Sequence, residues 1–280
     1  MVQFCPCLQQ MPVMSLRMLV LLVVTLPIAI TPAIGQGSDT AKVPELSTDR
    51  PDQSESPQLV PCGYFQAEGG LMTTRFGEES DTGPQTAVTG ILFLRYSLSE
   101  RIELRAVLEE GRSRDRFIQE TTQGLYPLAL GTKLSLIKEQ KGLLPQASLI
   151  GYINLPFLPR ADSQKGLYHP AIIAAFENKF LEKWEIEYNV GWKQDAFDPE
   201  YEWMGSASLH YEVTDKLKLF AEYFAQFTPE DAPLHNADGG LLYLVADNMQ
   251  LDFSVGSSIR AQPENRNFFG ALGFSFRLPQ

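Results

Sequence analysis

Trp184-Glu185-Ile186-Glu187-Tyr188-Asn189-Val190-Gly191-Trp192 is the stretch whose reading decides the fold. Trp184, Ile186, Tyr188, Val190 and Trp192 are apolar and two apart. Glu185, Glu187, Asn189 and Gly191 fill the gaps. Successive side chains of a strand point to opposite faces, so this is a strand with one apolar and one polar face. The pattern returns at once. Trp203, Gly205, Ala207, Leu209, Tyr211 and Val213 alternate with Met204, Ser206, Ser208, His210 and Glu212. Leu217, Leu219, Ala221 and Tyr223 alternate with Lys218, Phe220, Glu222 and Phe224.

Extended along the chain, the same reading gives twelve segments: 64–74, 86–98, 101–110, 124–138, 144–154, 169–180, 183–193, 202–213, 216–226, 239–246, 249–258 and 266–277. Several are about ten residues long, the length of a tilted bilayer-spanning strand. The links between them alternate without exception. Short ones lie at 97–101, 138–143, 180–183, 213–216 and 246–249. Long polar ones lie at 75–85, 111–123, 155–168, 194–201, 227–238 and 259–265. That is the plan of an outer-membrane barrel, with tight periplasmic turns and longer outer loops. The expected fold is all-β: a twelve-stranded antiparallel transmembrane β-barrel of the outer membrane, over residues 64–280.

The polar face carries Glu68, Arg95, Glu103, Arg105, Lys133, Glu177, Glu185, Glu187, Lys218, Glu222, Asp252 and Arg277. A packed sandwich core would bury these at several kcal/mol each unless they were paired. A membrane barrel turns them inward and the apolar face toward lipid. Aromatic residues support two interfacial belts. Tyr96, Trp184, Tyr211, Phe253, Phe274 and Phe276 lie toward the short links; Trp192, Trp203 and Phe227 lie toward the long ones.

Residues 1–35 read as a secretory signal: Arg17, an apolar run over 19–30, and Ala33-Ile34-Gly35 as a small-x-small cleavage site. Export would be of the Sec type, with insertion by the barrel-assembly machinery of a Gram-negative outer membrane and outer-membrane lipid as the surround. The formal net charge is −11, from 23 basic and 34 acidic residues. This argues against a nucleic-acid partner, which needs a basic surface. Three cysteines, Cys5, Cys7 and Cys62, build neither a disulfide framework nor a zinc motif.

Between leader and barrel lies a polar segment, 36–63, punctuated by Pro44, Pro51, Pro57 and Pro61. It contains Thr48-Asp49-Arg50-Pro51-Asp52-Gln53-Ser54-Glu55-Ser56-Pro57, followed by Val60-Pro61-Cys62-Gly63-Tyr64-Phe65-Gln66-Ala67-Glu68. This stretch of about 20 residues resembles the opening motif of a family of bacterial outer-membrane transporters labelled with the MetA pathway of phenol degradation. The resemblance implies an outer-membrane barrel and uptake of small, often aromatic or apolar, compounds. Physically, Asp49, Arg50, Asp52 and Glu55 lie within seven residues. The segment is expected to fold into the periplasmic mouth and meet charges such as Arg95, Arg105 or Lys133. It would act either as a plug or as a leader that only caps the first strand.

Other constellations carry weaker chemistry. Ser206, Ser208 and His210 share one strand face, but residues two apart are roughly 6.5–7 Å apart at the backbone, too far for a nucleophile and its base. They are expected to line a hydrated lumen. His235, Asn236 and Asp238, with Asp231, are expected in an outer loop; oxygen-rich loops hold Ca²⁺, but no EF-hand spacing is present. His169 reads as an ordinary interfacial residue. No P-loop, GxGxxG, HExxH or GxSxG occurs. No catalytic residue, cofactor or metal is assigned.

The sequence therefore points to passage of a small solute through a narrow, charge-lined lumen. Candidate constriction residues are Arg95, Glu103, Arg105, Lys133, Glu185, Glu187, Lys218, Glu222 and Asp252. An outer-membrane lipid-modifying hydrolase, or a structural or adhesion barrel without transport, stays open beside it.

Overall fold

The computed structural model describes residues 45–76, 86–114, 121–138, 144–155, 168–194, 201–229, 232–261 and 266–279. Residues 1–44, where the leader is expected, parts of all six long links and the short link at 139–143 lie outside them.

The described residues form thirteen strands. They are β1 (Tyr64–Phe76), β2 (Thr86–Ser99), β3 (Ile102–Arg114), β4 (Thr121–Leu125), β5 (Leu128–Ile137), β6 (Gln146–Leu155), β7 (His169–Leu181), β8 (Trp184–Gln194), β9 (Tyr201–Thr214), β10 (Leu217–Phe227), β11 (Leu234–Ala246), β12 (Met249–Arg260) and β13 (Asn267–Pro279). Each pairs antiparallel with its neighbour in sequence, save that β3 pairs with both β4 and β5. β1 pairs with β2 on one side and β13 on the other, so the sheet closes. Closure leaves no sheet edge, as hydrocarbon requires of a spanning sheet.

β4 and β5 are two halves of one stave. Both lie against β3, β4 beside 110–114 and β5 beside 102–107. The break falls at Tyr126-Pro127, where proline has no N–H to give the ladder. Tyr126 still donates its N–H to Glu109 O at 2.9 Å. The barrel therefore has twelve staves, and the segment read as unbroken over 124–138 is interrupted once.

The strands run further toward the long links than apolar alternation shows. The clearest case is β11, which begins at Leu234 and not at 239. His235, Asn236 and Asp238 thus sit on a strand, paired with β10 and β12. Asn236 is buried, so an outer calcium loop at these residues is corrected. Backbone pairing sustained this extension with no apolar period to announce it.

Sidedness is read directly from β12. Leu251, Phe253 and Val255 are exposed; Gln250, Asp252 and Ser254 between them are buried. The same inversion recurs on β8, where Val190 is exposed while Glu185, Glu187 and Asn189 are buried. A soluble sheet covers its apolar face, and an exposed apolar surface running round a whole barrel is what lipid contact demands. The short turns at 100–101, 182–183, 215–216 and 247–248 all lie at one end. Near that end Trp184 and Tyr211 pack at 4.6 Å; at the other, Trp192 is register-opposed to Trp203 and lies 5.7 Å from Tyr201. Phe276 is almost covered, with Phe274 stacked beside it.

Candidate functional site: a segment threaded into the barrel

Residues 45–63 enter the interior as a re-entrant loop. At the short-turn end Arg277 donates to Glu45 O at 3.2 Å. Higher up, the Gln250 amide donates to Thr48 Oγ1 at 2.9 Å. The loop turns near the strand midpoints. There Ser54 Oγ donates to Glu222 Oε1 at 2.6 Å and lies 2.8 Å from Ser206 Oγ, and the Glu55 N–H donates to Asn189 Oδ1 at 2.6 Å. It then descends: Ser148 Oγ donates to Pro57 O at 2.5 Å, and the Val60 N–H donates to Glu103 Oε2 at 2.8 Å. A positive-φ glycine, Gly63, turns the chain into β1. Three prolines, Pro51, Pro57 and Pro61, forbid a helix here, so the loop's backbone groups must find partners on the wall.

The wall is electrically uneven. Arg95 on β2, Arg105 on β3 and Lys133 on β5 stand on adjacent staves and converge on Asp49. Arg95 lies 3.1 Å and Lys133 Nζ 3.1 Å from that carboxylate, and Arg105 touches it too. Arg95 also pairs with Glu68 at 2.7 Å and Glu103 at 2.9 Å, while Arg105 holds Glu55. Lys133 further donates to Ser56 O at 2.6 Å. Burial pushes the Asp49 carboxyl up, but Arg105, Arg95 and Lys133 outweigh it and hold the group well below the usual carboxylate range.

The opposite arc is acidic: Glu185 and Glu187 on β8, Glu222 on β10, Asp252 on β12. Arg50, the neighbour of Asp49, points there and pairs with Asp252 at 3.2 Å. Its path is cleared by glycines. Gly70 on β1 and Gly273 on β13 are register partners, and a Cβ on either would overlap the Arg50 side chain. The peptide between Arg50 and Pro51 is cis. Lys218 lies 2.6 Å from Glu185 and is the half-buried member of the set.

The nine wall residues read from the sequence thus form two groups, Arg95, Glu103, Arg105 and Lys133 around Asp49, and Glu185, Glu187, Lys218, Glu222 and Asp252 across the barrel. Ser208 and His210 are covered rather than hydrated, and Ser206 meets Ser54. His169 is 1 % exposed, so it is interior and not interfacial. Some contact residues gave less warning. Ser148, Asn189 and Gln250 share the inward parity but carry no charge. Tyr152, which donates to Glu55 at 3.1 Å, shares the inward face of β6 with Gln146, Ser148, Ile150 and Asn154. Ile150 and Ile173, with Tyr152 and Met204 against them, form an inward apolar patch. No sequence signal marked Gly70 or Gly273.

The profile of a family described as "Putative MetA-pathway of phenol degradation" matches residues 48–278. The chain belongs to that family. Its match begins at Thr48, so the family's shared region takes in the threaded loop as well as the barrel. No curated protein matches the chain in sequence. Among solved structures, an outer membrane channel from Pseudomonas putida F1 superposes with a TM-score of 0.62 at 17 % identity, covering 79 % of this chain and 98 % of that one. The NanC porin superposes with a TM-score of 0.51 at 8 % identity, covering 76 % and 100 %. Both likenesses are of fold: this member of the phenol-degradation family is a transmembrane β-barrel of the outer membrane.

Proposed function

We propose that the protein is an outer-membrane channel for small solutes, narrowed by residues 45–63. The observation that carries this reading is where the interior polar bonds lie. The inward wall does not fill the barrel with its own side chains; it bonds to a loop that enters from one end and leaves by the same end. A barrel built only for structure can close with larger inward residues, as filled eight-stranded barrels do. Here a loop held by separable ion pairs stands in the passage.

The solute class we infer is small and aromatic or apolar. The family's association with phenol degradation supports it, and so does the inward patch of Ile150, Ile173, Tyr152 and Met204 beside the loop. Passage would be diffusive, past side chains of both signs. Catalysis is not part of the reading: Ser206 is bonded to the loop and the His210 ring stacks on Phe220 with centroids 5.8 Å apart.

The test is liposome swelling and planar-bilayer conductance with the intact protein and with a variant lacking residues 36–57. The intact protein should admit benzoate-sized solutes slowly, and the deletion should raise conductance severalfold. Equal conductance in the two would refute the loop's part; impermeability of both would refute transport.

A further inference from the structure

Asp52 lies at the top of the threaded loop. Glu187 on β8 and His210 on β9 face it, and one ligand atom from each of the three lies within 4.8 Å of the others. His210 Nε2 is 3.2 Å from Asp52 Oδ2 and 4.0 Å from Glu187 Oε2. All three residues are more than nine-tenths buried. Among the described residues neither ring nitrogen of His210 makes a hydrogen bond, and neither does Asp52 Oδ2. Ser208 Oγ, on the strand between Glu187 and Glu222, is buried without a bond as well.

These orphaned atoms sit where charge is uncompensated. Glu222 and Asp238 flank the group on β10 and β11, and Asp52, Glu187, Glu222 and Asp238 make no ion pair with Lys or Arg among the described residues. Nearby Lys218 is held by Glu185. Covered carboxylates that lack a cation are costly, and an imidazole left with two bare nitrogens adds to the cost. A cation at the meeting point would relieve both.

The donor set selects which cation. One imidazole nitrogen with two carboxylate oxygens suits Zn²⁺ and its first-row neighbours; Ca²⁺ and Mg²⁺ prefer all-oxygen shells. Two donors on a tetrahedral Zn²⁺ stand roughly 3.4 Å apart, given bonds of about 2.0–2.2 Å. His210 and Asp52, at 3.2 Å, already have that spacing, and Glu187, 4.0 Å from His210, must close on the pair as the ion binds. We propose that Asp52, Glu187 and His210 bind one divalent first-row transition-metal ion, Zn²⁺ being the representative, and that this ion pins the threaded loop to β8 and β9. The site does not depend on the transport reading, because its readout is metal binding.

The test uses the full-length barrel in detergent, stripped with a chelator and titrated with Zn²⁺ alone by calorimetry. One saturable site per chain is expected. His210→Ala, His210→Gln and Asp52→Asn should each weaken it by about tenfold or more, since even outer-shell losses cost that much at metal sites. Heat-dependent gel migration establishes that each variant remains a folded barrel. Co²⁺ in place of Zn²⁺ should give visible d–d bands in the wild type, which needs no variant to fold. Absence of a saturable site and of those bands would overturn the proposal. So would undiminished binding by a folded His210 variant, or displacement of Zn²⁺ by equimolar Ca²⁺.

Discussion

The guanidinium of Arg50 meets the carboxylate of Asp252 at 3.2 Å, across 202 residues of sequence. The contact needs two absences. Gly70 and Gly273 oppose one another on β1 and β13, and any side chain there would occupy the volume of Arg50. Gly70→Ala should therefore displace the guanidinium and leave Asp252 without its cation. Single-channel conductance in planar bilayers should rise, as it should in Arg50→Ala. The double variant should add little to either single, because both remove one interaction. Additive increases would show that Gly70 acts through something other than Arg50.

Asp49 receives Arg95, Arg105 and Lys133 together, and all four side chains are buried. Removing one partner from a buried ion cluster costs about 3–5 kcal/mol, because the charges left behind stay desolvated. Asp49→Ala should loosen the loop by that order. A reporter at Ser54, fully buried in the wild type, makes this visible. In a Cys62→Ser background, Ser54→Cys should react slowly with a maleimide, and faster by orders of magnitude once Asp49→Ala is added. Equal rates would mean that the loop does not depend on this cluster.

The same cluster sets a pH dependence. Three cations hold the seated Asp49 carboxyl well below its ordinary value, although burial alone would raise it. A carboxyl whose bound-state pKa is depressed stabilises that state fully above its free pKa, about 4 for Asp, and less as pH falls toward the depressed value. Asp49's hold on the loop is complete above about pH 4, so the part of the conductance that it controls should rise below that pH. Other inward acids titrate too, so Asp49→Asn is the control. It should conduct more at pH 7 and show a smaller acid rise. An unchanged acid rise in Asp49→Asn would assign the transition elsewhere.

Twelve staves were legible because lipid on one side and polar contacts on the other force a period of two, which Trp184 to Trp192 displays without a break. The inward charges were legible for the same reason. What filled the space between them was half visible. Asp49 and Glu55 announced a charged loop, but the division of labour between Asp49 and Arg50 follows from which arc of the wall each faces, and that is a property of the closed barrel. The start of β11 at Leu234 was hidden because backbone pairing outside hydrocarbon needs no apolar alternation. Ile173 was hidden because β7 is apolar on both faces over 170–176, and Ile150 because an apolar residue at an inward position of β6 carries no charge to mark it. The role of Gly70 and Gly273 is visible only when the loop is in place.

Leu272 separates the lipid-facing account from a water-facing one. It lies near the middle of β13 and is 65 % exposed, between Ala271 and Gly273 that face inward. In water, an exposed Leu→Arg change away from special features alters stability by about 0.5 kcal/mol or less. At the midplane of a bilayer the same change costs about 2–4 kcal/mol, because the guanidinium must be dragged from water into hydrocarbon or reach for the interface. Urea titration of the barrel folded into phospholipid vesicles should place Leu272→Arg in the second range. Ile259→Arg, also exposed but at the long-link end of β12, should cost far less, since the penalty falls toward the interface. Equal and negligible costs at both positions would mean that the apolar belt faces no membrane.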